Sequence, residues 1–552
     1  MASGSSSPRR VAGNVARGAL ARATSPHVLG TSAGEQFWRR ALTAPGLPDG
    51  LRVRLAEQVH AGLIGAGRAA SAADSVSSVG GRIGSPTLNA RLLQALTRAE
   101  LDAGLAPTRL AEAWRAGFAV ADSLHQEGHS GQTARQLART LPLGFHRVLH
   151  FDRLTSPLAD DPEGFLSPLR QSTTAHALTA AGRRTPAAPM PTGRPLRLLF
   201  ATCANDNFLR EIRERYAGMP DVEVRFLDVA ADPQRRPMNG QTSRMIEQLL
   251  TGRTEYGTEV ERWLRPHLDW ADTVFVDWCV STAVLFTMVD PGTTRIIVRL
   301  HSFELFSIWP HLVNFGRVDD LVFVSTHLRD LARSVIPALS GPAPPRTHVL
   351  TNAMDLSRFV RPKPADARFT LALVGVGVVA KDPRWALDVL RELRAVDPRY
   401  RLRLIGGPIS PSASPAAARY RESLDAELAT LGPAVEQVGH CDDVPAALTE
   451  VGVILSSSVR ESFHCALVEG AASGAVPVVR DWPFFARGAR DVFDDAWVVG
   501  SPKEAAEHIL RATATESAWR AAGAAASAHA LATWDWTVTR RGFDELLLGT
   551  AR

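Results

Sequence analysis

Lysine and cysteine are scarce in this 552-residue chain, and long apolar runs are missing. The four cysteines, Cys203, Cys279, Cys441 and Cys465, are scattered without metal-ligand spacing. That excludes a disulfide framework and suits the reduced thiols of a cytoplasmic protein. The lysines are Lys363, Lys381 and Lys503, so nearly all positive charge is arginine. Few positions can therefore supply a lysine to chemistry. The longest apolar candidate, Leu371 to Ala380, falls short of the ~18 residues that span a bilayer. No Asp-x-Asp pair stands at a strand end; Asp319-Asp320, Asp442-Asp443 and Asp494-Asp495 are adjacent pairs in other settings, so no metal site is expected. A net charge of +5 is small for this length and gives no reason to expect nucleic acid as a partner.

What is present is an ordinary globular composition, 45% apolar and 22% charged, long enough for about three domains. Residues 1–34 hold Arg9, Arg10, Arg17 and Arg22 and no acid before Glu35. We expect a disordered basic tail there, which is also a candidate contact for a membrane surface. Residues 35–182 follow a helical period: Leu51, Leu55 and Val59 recur every fourth residue, and Leu110, Trp114 and Phe118 share a face. A Pro-, Thr- and Arg-rich linker leads to strands alternating with helices. Leu196–Ala201, Val222–Leu227, Asp272–Asp277, Arg295–Leu300 and Asp320–Val324 read as strands of a first parallel sheet. Phe369–Gly375, Arg401–Ile405, Val435–Val438 and Val453–Leu455 open a second such series. The expectation is an α/β fold with Rossmann-like domains at 195–356 and 357–528, an all-α accessory domain before them, and a C-terminal crossover helix at 529–552.

Near the end of the second series, SSSVRESFHCALVEGAASGAVPVV sets Glu461 and Glu469 eight residues apart. A strand runs up to this passage, a short loop carries Glu461, and a helix from about His464 or Cys465 carries Glu469. A strand, a loop and a helix start gather free backbone N–H groups, which suits an anion such as a pyrophosphate. Two solvated glutamates in an ordinary βαβ unit give the same spacing, so the passage alone leaves both readings open.

The passage resembles the E-x(7)-E signature of retaining GT-B glycosyltransferases of the "group 1" class. Other segments resemble that family in order. TNAMDLSRF carries Asn352 and Asp355, and LVGVGVVAKDPRWALDVLREL carries Gly377 and Lys381. LRLIGG, VGHCDDVPAAL and the closing WDWTVTRRGFDELL follow. Together they cover about two thirds of the chain. The resemblance implies two facing Rossmann-like domains and a retaining transfer of a sugar from a nucleotide-diphosphate donor. The nucleotide sugar is a substrate, so no cofactor is expected. It implies that Glu461 binds donor-sugar hydroxyls and Glu469 the ribose diol, while Lys381 holds phosphate. Ser462, Phe463, His464, Cys465, Gly377 and Arg460 complete the expected donor-binding set, and His301 is the expected cleft residue from the first domain.

Departures from the family pattern are specific. Val376 stands where the phosphate-clasping arginine is usual, and Ser462 and His464 replace two glycines. His464 adds bulk and, when protonated, a positive charge, so two readings stand: a substitute for the missing cation, or a narrowing of the site. The acceptor is open among a glycan, a lipid carrier, a protein and a small metabolite. A catalytically silent nucleotide-sugar-binding or scaffold subunit, and a GT-B epimerase, are the alternative functions.

Overall fold

The computed structural model describes residues 22–179, 185–341, 343–484 and 488–549. It contains two six-stranded sheets, all of whose strand pairs are parallel. The first comprises β1 (Leu196–Thr202), β2 (Val222–Asp228), β3 (Thr273–Asp277), β4 (Arg295–Leu300), β5 (Asp320–Phe323) and β6 (Arg346–Val349), in the order β2-β1-β3-β4-β5-β6. The second comprises β7 (Thr370–Val374), β8 (Arg401–Ile405), β9 (Val435–Gly439), β10 (Val453–Ser456), β11 (Val476–Arg480) and β12 (Val498–Val499), in the order β12-β11-β10-β7-β8-β9. Strands such as β3 and β10 are buried along their whole length, which is why they read as unbroken apolar runs. β6 and β12 went unread because the first is largely polar and the second has two residues. The architecture is the expected one: two Rossmann-like domains preceded by helices.

The chain divides into two compact units, and the division corrects one expected boundary. Among the described residues the first unit spans 22–148 with 414–416 and is built on α1 (Asp49–Gly65), α2 (Pro86–Asp102), α3 (Leu110–Gln126) and α4 (Ser130–Gly144). In α3, Trp114 and Phe118 are buried, and Trp114 donates its indole N–H to the Thr140 carbonyl of α4 at 2.8 Å. Residues 149–179, expected with these helices, belong to the sheet-bearing unit instead. Their side chains explain why. Phe151 packs on Phe303 with ring centroids 5.1 Å apart, and Leu154 lies against the core of the second sheet. The expected tail is corrected too. Residues 1–21 lie outside the described residues, but Pro26–Leu29 is helical and Leu29 is fully buried in a cluster with Leu42, Val53 and Leu63. A helix follows at Ser32–Thr43, capped by the Thr31 hydroxyl accepting from Gly34 N–H. Among the described residues no helix is long and apolar enough to cross a membrane.

Within the second unit the chain crosses between the sheet domains twice. α5 (Arg210–Ala217) follows β1; α6 (Pro383–Val396), α7 (Pro415–Leu431) and α8 (Cys465–Ala472) belong to the second domain. α9 (Glu516–Trp534) packs on α8, and after Asp535 the chain turns into α10 (Trp536–Leu548), which lies on the first domain. Phe543, Leu546 and Leu547 of α10 are buried with Leu196, Leu198 and Phe200 of β1. Asp544 accepts from Arg215 Nε at 3.0 Å and from the Tyr216 hydroxyl at 2.9 Å. Asp535 fastens both crossings, accepting from Leu356 N–H at 3.0 Å and Thr537 N–H at 2.8 Å.

Candidate active site

In the second sheet the strand order reverses between β7 and β10, the switch point where an open α/β sheet offers a crevice outside its strand ends. The loops leaving those two strands carry Lys381 and Glu461. The β7 loop opens at Gly375, whose φ of +86° suits glycine. It ends at Asp382, a non-glycine residue at φ +41°. That strained residue is clamped, because its carboxylate accepts from the Tyr420 hydroxyl at 2.7 Å and from Arg480 at 2.6 Å. Ser457 donates to the Lys381 carbonyl at 2.6 Å, and Val459 N–H donates to Ala380 at 2.9 Å. The two loops are thus laced together. Gly377 is crowded, since an added Cβ would stand 3.1 Å from the Gly407 carbonyl oxygen.

Glu461 is the centre of this lacing. Its Oε1 accepts from Lys381 Nζ at 2.6 Å and from Ser458 Oγ at 2.6 Å. Burial alone would raise its carboxyl, but the Lys381 ammonium outweighs it and holds the group down at about 2. The backbone carbonyl of Glu461 meets His327 Nε2 at 3.0 Å. His464 follows at φ +73° as the N-cap of α8, which accounts for the glycine usual at this position in the family it resembles. Its Nδ1 lies 2.8 Å from Ser456 Oγ, while Nε2 is buried without a hydrogen-bond partner, 3.8 Å from Glu461 Oε1. Burial, then the neighbouring Lys381, push this imidazole down to about 3. That direction leaves the imidazole neutral near pH 7 and speaks against the first of the two readings of His464, the substitute cation.

Glu469 sits in α8, half-buried, and its carboxylate accepts no hydrogen bond among the described residues. Burial raises its pKa, opposed by the charge of Arg358. Cys465 at the start of the helix accepts from Asn352 Nδ2 at 3.3 Å. Its thiol is pushed up to about 12, by burial and then by Glu469, which removes it as a nucleophile.

Three members of the expected set face elsewhere. Ser462 accepts from Ser302 N–H at 2.8 Å and donates to Ser302 Oγ at 2.8 Å, so its hydroxyl ties the two domains and does not point at a phosphate. Phe463 is buried with its ring 6.3 Å from Phe493 and 6.1 Å from Trp534. Arg460 lies over Phe151 at 4.7 Å and Phe306 at 4.9 Å. Burial lowers its pKa to about 10, which leaves it a cation. His301 follows β4 and is buried, with Nε2 3.4 Å from Asn352 Oδ1, so Asn352 links it to Cys465 and the α8 start. Sequence reasoning missed Ser458, His327 and the Tyr420–Asp382–Arg480 clamp. The run Ser456-Ser457-Ser458 after a buried strand was the one local sign of them.

Residues 368–515, which carry Lys381, Glu461 and Glu469, match the family model described as Glycosyl transferases group 1. No curated protein matches the chain by sequence. Among solved structures, the chain is similar to Anabaena Alr3699/HepE in complex with UDP-glucose. That likeness has 16% identity and a TM-score of 0.47, and covers 64% of this chain and 100% of that one. It is also similar to a sucrose-phosphate synthase from Thermosynechococcus elongatus, with 16% identity, a TM-score of 0.48 and coverage of 64% and 98%. A third is a Thermobaculum terrenum O-GlcNAc transferase mutant, with 15% identity, a TM-score of 0.47 and coverage of 93% and 97%.

Proposed function

We propose that this protein moves a sugar from a nucleoside-diphosphate donor to an acceptor hydroxyl with retention of anomeric configuration. One observation carries the reading. Lys381, Glu461 and Ser458 converge at the switch point of the sheet that matches the group 1 model, beside the open N-terminus of α8. In this reading the ammonium of Lys381 keeps one N–H on Glu461 and presents the others to the donor's phosphates. The N–H groups at the start of α8 take up the rest of the leaving charge. Glu469, half-buried and without a hydrogen bond of its own among the described residues, accepts from the ribose diol. Glu461, held as a carboxylate, accepts from the donor-sugar hydroxyls and stabilises the positive ring.

The C1–O bond to the diphosphate breaks with its electron pair leaving on phosphate. The acceptor oxygen then bonds C1 from the same face, and its proton passes to the departing phosphate oxygen. Within this scheme the chain supplies position and charge.

A silent nucleotide-sugar-binding subunit is the second reading. It is favoured by Val376 in place of an arginine, by the neutral His464, and by the ion pair that already engages Lys381. Incubation with a panel of nucleotide sugars separates the two. Release of nucleoside diphosphate above the uncatalysed rate, lost in Glu461→Gln, supports transfer. Tight nucleotide binding with no release across the panel refutes it and supports the silent subunit.

A further inference from the structure

Arg460 stands directly before Glu461, yet the two side chains serve different neighbours. The carboxylate of Glu461 turns to Lys381 and Ser458 in its own domain. The guanidinium of Arg460 reaches instead to the first sheet domain and to the segment that precedes it. Its Cζ lies 4.7 Å from the centroid of Phe151 and 4.9 Å from that of Phe306. Phe303, 46% exposed, stands beside Phe151 with centroids 5.1 Å apart, so an open apolar shelf adjoins the cation.

Three arginines are buried among the described residues, Arg52, Arg299 and Arg460. Arg52 donates to the carbonyls of Ala44 and Leu47, each at 3.1 Å. Arg299 pairs with Asp277 at 2.6 Å. Arg460, 8% exposed, has no such partner among the described residues. Its Nε is sealed from solvent without a hydrogen bond, while the terminal nitrogens, which also bond nothing, still reach the surface. The two rings ease its charge, but they offer no acceptor to the five N–H donors of a guanidinium. The charge that acts on it is the Glu461 carboxylate, already engaged by Lys381 at 2.6 Å.

We propose that Arg460 receives a carboxylate of the acceptor, so that the sugar is moved to a hydroxylated carboxylic acid. The carboxylate site stands on this geometry; calling its occupant the acceptor rests on the transferase reading above. A guanidinium presents paired N–H groups that match a carboxylate fork to fork. One unpaired cation balances one negative charge. A phosphate monoester, at about −1.5 to −2, would leave surplus anion beside Glu461. The donor's diphosphate is assigned to Lys381 and the start of α8, from which Arg460 turns away. The shelf of Phe151 and Phe303 suits the carbon body of the acid.

Saturation-transfer NMR on the full chain with UDP present tests this, using probe pairs that differ in one group. The pairs are methyl glucuronoside with methyl glucoside, and glycerate with glycerol. Wild type should bind at least one acid tenfold or more tighter than its neutral partner. Arg460→Gln should abolish that preference, with thermal unfolding as the fold control. Arg460→Lys, which keeps the charge and loses the fork, should keep part of it. UDP affinity, read by calorimetry, should change less than twofold in Arg460→Gln. No preference for either acid in wild type overturns the proposal, and that result needs no variant to fold. An unchanged preference in Arg460→Gln, an equal loss of UDP affinity there, or tighter binding of glucose 6-phosphate than of the acids overturns it too. Acid binding without UDP binding sinks the transferase reading and keeps the carboxylate site. UDP binding without acid binding sinks the site alone.

Discussion

Replacing Lys381 with methionine removes the cation that keeps Glu461 ionised in a half-buried site. The Glu461 carboxyl sits at about 2 against an ordinary 4.5. At about 1.4 kcal/mol per pKa unit that displacement is worth roughly 3 kcal/mol. Breaking a buried pair from one side costs about 3–5 kcal/mol, and this pair, 18% and 13% exposed, belongs at the lower end of that range. The sign follows from the direction. A carboxyl lowered on folding stabilises the fold above its unfolded value, and that contribution is lost as pH falls through the folded value. In Lys381→Met burial is no longer opposed, so the carboxyl rises above its ordinary range. The variant should therefore lose roughly 3 kcal/mol at pH 7.5 and less at pH 5, where the lone carboxyl takes up a proton. Lys381→Met/Glu461→Gln should recover most of the stability while nucleoside diphosphate binding stays weak. Urea unfolding at the two pH values, with calorimetry at the higher one, measures all of this. An equal loss at both pH values, or no recovery in the double variant, would refute the argument.

Glu469→Ala should weaken nucleoside diphosphate binding by about 1.5–3 kcal/mol, the scale of a hydrogen bond to a charged group; unchanged affinity in calorimetry removes Glu469 from the site. Glu461→Gln should lower turnover far more than nucleotide affinity, and equal losses in kcat and Kd would mean that the two glutamates have been given each other's roles. Nucleotide affinity should stay flat from about pH 6 to 8, because His464 is neutral throughout; a fall across its ordinary value of 6.5 would restore the cationic reading. The same imidazole, lowered on folding, contributes stability that is lost as pH drops from 6.5 towards about 3, and His464→Gly should flatten thermal stability over that range.

The two sheets were readable because a parallel strand covered on both faces must be an apolar run, as at Ile296, Ile297 and Val298. Glu461, Glu469 and Lys381 were readable because their spacing along the chain is set by local elements, a loop and a short helix. What escaped depends on distant partners. The hydroxyl of Ser462 is directed by Ser302, 160 residues away. The protonation of His464 depends on how deeply it is buried, which no local pattern reveals. The clamp on Asp382 needs Tyr420, 38 residues on, and Arg480, 98 residues on. Residues 149–179 continue the helical period of the preceding segment, so nothing in their periodicity announces that Phe151 serves the sheet-bearing unit.

The position of α10 has a consequence for synthesis. The first sheet domain is complete in its strands by Val349, yet Phe543, Leu546 and Leu547 of its core lie beyond Trp536. At translation rates of about 5–20 residues per second, the intervening stretch takes roughly 10–40 s to emerge. During that interval the faces of Leu198 and Phe200 that α10 will cover remain open to water, and Asp544 is not yet there to receive Arg215 and Tyr216. Of the two sheet domains, the one made first is thus the one finished last, and its exposed apolar face is a ready target for chaperones until α10 arrives.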